Sequence, residues 1–224
     1  MSKIFEYLLS VGKEKSKNLS PNSLLIRGLW RTDYVLKLTP DSTLFHLHYI
    51  LVQTDGIGCS YYEAADEEPG ISKGLIDQNA FEIEKQFKAI RIAALDSVYA
   101  NINDKPSERI IIDGTNYEKE YKRAEIVCNE ALSTLNRKKP KNGKNMVVLN
   151  VGVVGTIISR LIKEKSIQVT ASDYNKDVVG PNKVIHGIQV EFGDNTVELI
   201  AKADLAIITG MTLATDSIDD ILNT

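Results

Sequence analysis

Residues 146–156 read Met-Val-Val-Leu-Asn-Val-Gly-Val-Val-Gly-Thr, and how this stretch folds decides the architecture around it. Met146 to Val151 has the apolar composition of a strand covered on both faces. Thr156 to Glu164 then places Ile157, Ile158, Leu161 and Ile162 at helical spacing, so the two glycines between mark a strand-to-helix turn. The alternation continues downstream. Ile167–Ser172 reads as a strand, Gly187–Val190 as a weaker one, Thr196–Lys202 as a helix, Asp204–Ile208 as a strand and Ser217–Leu222 as a last short helix. Strands alternating with helices predict a parallel sheet wound with helices, a Rossmann-like α/β domain over residues 145–224. With about four strands it falls short of the five or six of a doubly wound sheet, so the domain is expected to be minimal or truncated.

Upstream, Arg137–Lys144 holds five cations, a proline and a glycine, which is linker composition and sets the predicted boundary. Residues 1–137 read as an α+β domain. A helix over about 2–16 carries Ile4, Phe5, Leu8, Leu9 and Val11 on one side. Three β-type runs follow, Leu24–Trp30, Thr32–Leu38 and Leu44–Val52, with turn residues Thr39–Ser42 between the last two, which suggests an antiparallel meander. Thr54–Glu63 contains Gly56, Gly58 and Cys59 and reads as an irregular loop leading into the acidic stretch 66–70. A long helix is predicted from an Asn79 N-cap to about Asn101, and another over Asn116–Leu135 with Ala124, Cys128, Ala131 and Leu135 facing inward.

The chain has 224 residues, 43% of them apolar and 25% charged, with 14 glycines, 6 prolines and a formal charge of −3. That balance suits a globular core of two domains and excludes disordered, collagen-like and low-complexity readings. Residues 145–224 carry 6 Lys/Arg against 10 Asp/Glu, so no polyanionic partner such as DNA or RNA is expected. Two cysteines make no disulfide framework, and no run reaches the ~18 apolar residues of a membrane span. The opening Met1–Tyr7 lacks a signal peptide's apolar region, so a reducing, cytoplasmic setting is expected.

Three groups of residues could carry chemistry. Gly152, Gly155 and Thr156 form the turn after the first strand of the second domain, where helix-start amides could hold a phosphate or carboxylate. They give G-x-x-G rather than the full dinucleotide fingerprint. Asp173 stands 21 positions after Gly152, where an acidic residue would meet ribose hydroxyls. Thr209, Gly210 and Thr212 end a later strand and would line the same crevice. Plain strand–helix packing and helix capping explain these residues equally. In the first domain, Asp55, Cys59 and Glu63 offer carboxylates and a thiol to a divalent or heavy metal, although no recognised ligand spacing is present and a solvated acidic loop is the plainer reading. His46 and His48 share a strand face about 6.6 Å apart and read as part of a sheet surface. Cys128 is read as inert packing.

A meander, the Gly56–Cys59 segment, the helix Ile90-Arg91-Ile92-Ala93-Ala94-Leu95-Asp96-Ser97, the opening Val151–Gly155 and the run Ala203–Leu213 come in an order that resembles an uncharacterised prokaryotic family. That family joins an enolase-amino-terminal-like domain to a Rossmann-like domain labelled for heavy-metal chelation. The resemblance implies a ligand site in an interdomain cleft, built from Gly56–Cys59, Gly152–Thr156 and Thr209–Thr212. It also implies further strand and helix beyond residue 224. Asp96 departs from the asparagine usual in the family. Three functions stand open: a protein handling a metal, a metal chelate or a small anionic ligand; an enzyme using a nucleotide-like ligand or S-adenosyl-methionine; and a non-catalytic binding or assembly module. Homo-oligomers fit any of them.

Overall fold

The computed structural model describes residues 2–37, 44–62, 73–102, 110–137 and 145–224. The turn 39–42, Glu63 with the acidic stretch 66–70, and the basic run 138–144 lie outside them. The fold is mixed α/β with two sheets. Two compact units emerge: Met1–Val35, His46–Glu108 and Leu213–Asp219 form one, and Leu36–Phe45, Arg109–Thr212 and Asp220–Thr224 the other.

In the first unit, α1 (Lys3–Lys15) starts where the Ser2 hydroxyl accepts the Phe5 amide, and the Asp219 carboxylate accepts the amides of Lys3 and Ile4 at 2.6 and 3.1 Å. A carboxylate on these otherwise orphaned donors, at the positive end of the helix dipole, is the favourable charge arrangement. Strands β1 (Gly28–Lys37), β2 (Leu44–Gln53) and β3 (Ile57–Tyr62) pair in sequential order. The meander therefore differs from the expected one in two places. No glycine or proline separates Trp30 from Thr32, and the two runs there form a single strand. The third strand comes instead from the Gly-Cys segment, which pairs antiparallel with β2 through Leu51 opposite Cys59 and Val52 opposite Gly58.

Helix α2 spans Lys88–Ile102, starting later than Asn79. The Asn79 side chain accepts the Phe81 amide at 2.9 Å in a local turn, while Ile26 donates its amide to Gln78 O and Ala80 to Leu24 O. Residues 77–80 thus pair with extended chain, and the buried pair Phe81 and Ile83 enters the core at a two-residue spacing instead of a helical one. The shortened helix is about 22 Å long, against the 33 Å expected. Its Ile90, Ala93, Ala94 and Val98 pack with Phe5, Ile26, Ile50, Val52 and Leu75, joined from the far end of the chain by Leu213 and Ala214.

The second unit holds α3 (Asn116–Leu135), β4 (Met146–Val151), α4 (Gly155–Leu161), β5 (Ile167–Asp173), β6 (Val184–Ile185), β7 (Ile188–Phe192), α5 (Thr196–Lys202) and β8 (Leu205–Ile208). Two short helices follow, α6 (Met211–Ala214) and α7 (Ile218–Leu222). Thr115 and Glu118 form a capping box at the start of α3. Its buried Ala124, Cys128, Ala131 and Leu135 recur at 3–4 residue spacing, as the sequence suggests. Helix α3 groups with this unit, although the sequence reading set it in the first domain: its Cys128 thiol lies 3.8 Å from the Ile157 carbonyl of α4.

The sheet order is β6-β7-β5-β4-β8. Strands β7, β5, β4 and β8 are parallel, and β6 is a fifth, antiparallel strand that the sequence reading did not foresee. It exists because His186 and Gly187 both take left-handed backbones, φ 50° and 82°, which closes a two-residue hairpin.

Candidate functional site

Chain order along the sheet fixes where a site belongs. From β4 the chain moves to β5 and on to β7 on one side, then returns to place β8 on the other side of β4. Strand order therefore reverses between β4 and β8. In open α/β sheets ligands bind outside the carboxyl ends of strands at such a point. The residues there are Gly152–Thr156 after β4 and Thr209–Thr212 after β8, both groups singled out from sequence.

The turn after β4 is held from inside. Gly152 has φ +71° and donates its amide to Ser172 O at 2.9 Å. Val153 donates to Asp173 Oδ2 at 2.7 Å, and Val154 to Asn150 Oδ1 at 2.9 Å. Asn150, fully buried, also donates its Nδ2 to Gly152 O at 3.2 Å and to Ile207 O at 3.4 Å. One side chain thus staples the β4 turn to β8. Sequence reasoning passed over it, although a carboxamide within an apolar strand was the available signal.

These bonds bear on two expectations. The Val153 and Val154 amides, which precede the helix-start amides expected to receive an anion, are occupied by a carboxylate and a carboxamide of the protein itself. Asp173, only 4% exposed, accepts the Val153 amide on one oxygen and the Asn175 amide, at 2.8 Å, on the other. Its first role is to cap the turn, and a phosphate brought there would meet a buried negative charge. Gly155 and Thr156 are both buried at the start of α4, where the Thr156 hydroxyl donates to Glu120 Oε1 at 3.5 Å.

The β8 side is more open. Thr209 donates its amide to Val151 O at 3.0 Å and leans its side chain on Gly152. A Cβ at position 152 would come within 2.0 Å of Thr209 Oγ1, so the glycine makes room for that hydroxyl. Thr209 Oγ1 is buried and has no hydrogen-bond partner among the described residues. Such a group costs about 1–3 kcal/mol. Thr212, buried, donates both its amide and its hydroxyl to Thr209 O, at 3.2 and 2.9 Å. Gly210 is exposed, with nothing within 4 Å of where a Cβ would sit.

Asp55 and Cys59 fall in the first unit, and the structure does not assemble them into a metal-ligand set. Asp55 pairs with Arg27 at 3.3 Å. Cys59 is exposed on β3 with its amide donated to Asp96 Oδ2 at 2.9 Å. Partial burial, and secondarily the Asp96 charge, push its thiol above the ordinary range, which disfavours the thiolate a metal needs. Among the described residues no three His, Cys, Asp or Glu side chains are grouped to hold a metal ion. His48 is engaged with Asp33 at 2.7 Å. Burial raises the Cys128 thiol to about 11, in keeping with inert packing.

Gly56 and Gly58 serve packing. A Cβ at 58 would sit 2.1 Å from Ala93 O and Ser97 N, and one at 56 would sit 2.4 Å from Ser97 O. Both glycines let β3 lie directly on the α2 backbone.

The molecule is a mixed α/β protein with a helix-wrapped, mostly parallel sheet in its second unit, and no helix among the described residues is long and apolar enough to cross a membrane. No family model matches the chain, and no curated protein does. Solved structures similar in fold are proteins of unknown function from the DUF364 family. That from Desulfitobacterium hafniense matches with a TM-score of 0.55 at 12% identity, over 98% of this chain and 73% of its own. That from Pyrococcus horikoshii matches with 0.52 at 10% identity over the same shares. At such identities the likeness is one of fold.

Proposed function

We propose that the second unit binds a small organic ligand, nucleotide-like in size, at the carboxyl edge of its sheet between β4 and β8. The observation that carries this reading is the reversal of strand order there, with Gly152 in a left-handed turn and Gly210 open beside it. Gly155, Thr156, Asp173, Thr209 and Thr212 form the floor: Asp173 fixes the turn, and Thr209 fills the hollow left by Gly152. A bare metal ion finds less support, because Asp55 is engaged by Arg27 and partial burial pushes the Cys59 thiol up.

The test is a thermal-shift screen of the whole chain against nucleosides, nucleotides, S-adenosyl-methionine, organic acids and divalent metals, with native mass spectrometry for anything that co-purifies. A ligand at 100 times its dissociation constant stabilises by about 2.7 kcal/mol. Gly210→Leu supplies the control, since its side chain enters open space and should abolish the shift without lowering the unliganded melting temperature. If nothing in the screen shifts the protein and nothing co-purifies, the edge is not a ligand site.

A further inference from the structure

The carboxyl edge continues beyond the two glycine turns to β5 and β7, and two aromatic side chains stand there. Register pairs Asp173 of β5 with Phe192 of β7. Tyr174 follows Asp173 directly and is 43% exposed, and Phe192 is 53% exposed. The Tyr174 ring rests on Gly193: a Cβ at 193 would lie 2.5 Å from its ring atoms. Glycine at 193 therefore seats the aromatic ring against the backbone.

From these observations we infer that the ligand of this edge is an uncharged or cationic nucleoside, or a compound of the same chemistry, whose planar base stacks on Tyr174 and whose sugar substituent extends over Gly152 toward Gly210. This rests on the ligand-binding reading given above and names the class of molecule. An exposed aromatic ring with its other side supported offers a stacking platform to a base. The dimensions agree. From β7 to β8 is three strand spacings, about 14 Å, the scale of a nucleoside with a 5′ substituent.

Charge narrows the class further. Asp173 lies buried on the Val153 amide. Asp194 and Asp220 lie close enough to the Tyr174 phenol to help burial raise its ionisation above the ordinary value. On a sugar substituent over Gly152, a triphosphate would bring negative charge toward the Asp173 carboxylate whereas a sulfonium would be attracted to it, and an exocyclic amine on the base would meet Asp194 and Asp220 beside Tyr174.

The experiment is isothermal titration of the full chain with adenosine, S-adenosyl-methionine and ATP. Adenosine or S-adenosyl-methionine should bind at least tenfold more tightly than ATP. Tyr174→Ala should weaken that binding at least tenfold, whereas Tyr174→Phe keeps the ring and should retain it; circular dichroism and melting confirm that both variants fold. Binding of ATP as tight as that of the uncharged nucleoside, or affinity unchanged in Tyr174→Ala, would overturn the inference. A further result separates it from the broader reading: if some other compound shifts the protein and Gly210→Leu removes that shift, while neither adenosine nor S-adenosyl-methionine binds, the edge remains a site and the nucleoside assignment fails.

Discussion

Two glycine-containing segments of the molecule invite the same functional reading and turn out to exist for different reasons. Gly58 sits in β3 and Gly56 just before it, both outside the left-handed region, with the α2 backbone where their side chains would be. Gly152 sits in a turn with φ +71°, where an L side chain is strained whatever the space. The first pair is a packing device that brings strand and helix backbones into contact. The second is a conformational device that redirects the chain at a sheet edge. Glycine in sequence reports that a side chain is forbidden; only the structure tells whether a neighbour or a dihedral forbids it.

The sharpest way to break this distinction is Gly58→Ala. The atoms a methyl would strike, Ala93 O and Ser97 N at 2.1 Å, are helix backbone and cannot swing aside. Overpacking costs typically 1–3 kcal/mol and more where nothing yields, so a loss of about 3 kcal/mol or more is expected in urea unfolding. A loss below about 1 kcal/mol would mean that β3 lifts freely from α2 and that the close approach is incidental.

Gly152→Ala should cost less, about 2 kcal/mol, from a left-handed backbone worth roughly 1–2 kcal/mol plus the contact with Thr209. Here the obstacle is a side-chain hydroxyl, 2.0 Å from the new methyl. Thr209→Ala should therefore recover part of the loss, and a double-mutant cycle should show coupling of at least about 0.5 kcal/mol. No such relief is available at position 58. Additive effects at 152 and 209 would show that the glycine answers to its dihedral alone.

The same contrast explains what could be read in advance. The strand-turn-helix of 146–161 was legible because an apolar run, two glycines and a helical period agree within one short stretch. The inward face of α3 was legible from spacing for the same reason. Other features were hidden because the deciding partner is remote in sequence. Residues 79–83 have a helical pattern, yet Leu24 and Ile26 offer them extended-chain hydrogen bonds. The Gly56–Cys59 segment lacked strand composition because its glycines answer to Ala93 and Ser97, some 35 to 41 residues away. At the candidate site, the positions of Gly152, Asp173 and Thr209 followed from fold logic. Their bonding did not, because Asn150 and Asp173 turn back to accept the Val154 and Val153 amides of the turn itself. Tyr174 and Phe192 carry no motif; an aromatic at the end of a strand is ordinary until the strand order shows which edge it occupies.

Gly210 completes the comparison because neither reason applies to it. Its φ lies outside the left-handed region, and no atom of the described residues comes within 4 Å of the position a Cβ would take. Replacing glycine by alanine where the backbone tolerates it stabilises by about 0.4–1 kcal/mol, through the entropy of the unfolded chain. Gly210→Ala should therefore raise stability by about half a kcal/mol, the smallest of the three effects and the only favourable one, measured as a higher urea midpoint at unchanged slope. A glycine that neither its dihedral nor a described neighbour requires has no reason within the fold, which agrees with the ligand site proposed over β8. If Gly210→Ala destabilises instead, the glycine serves the backbone like the others and that argument for the site is lost.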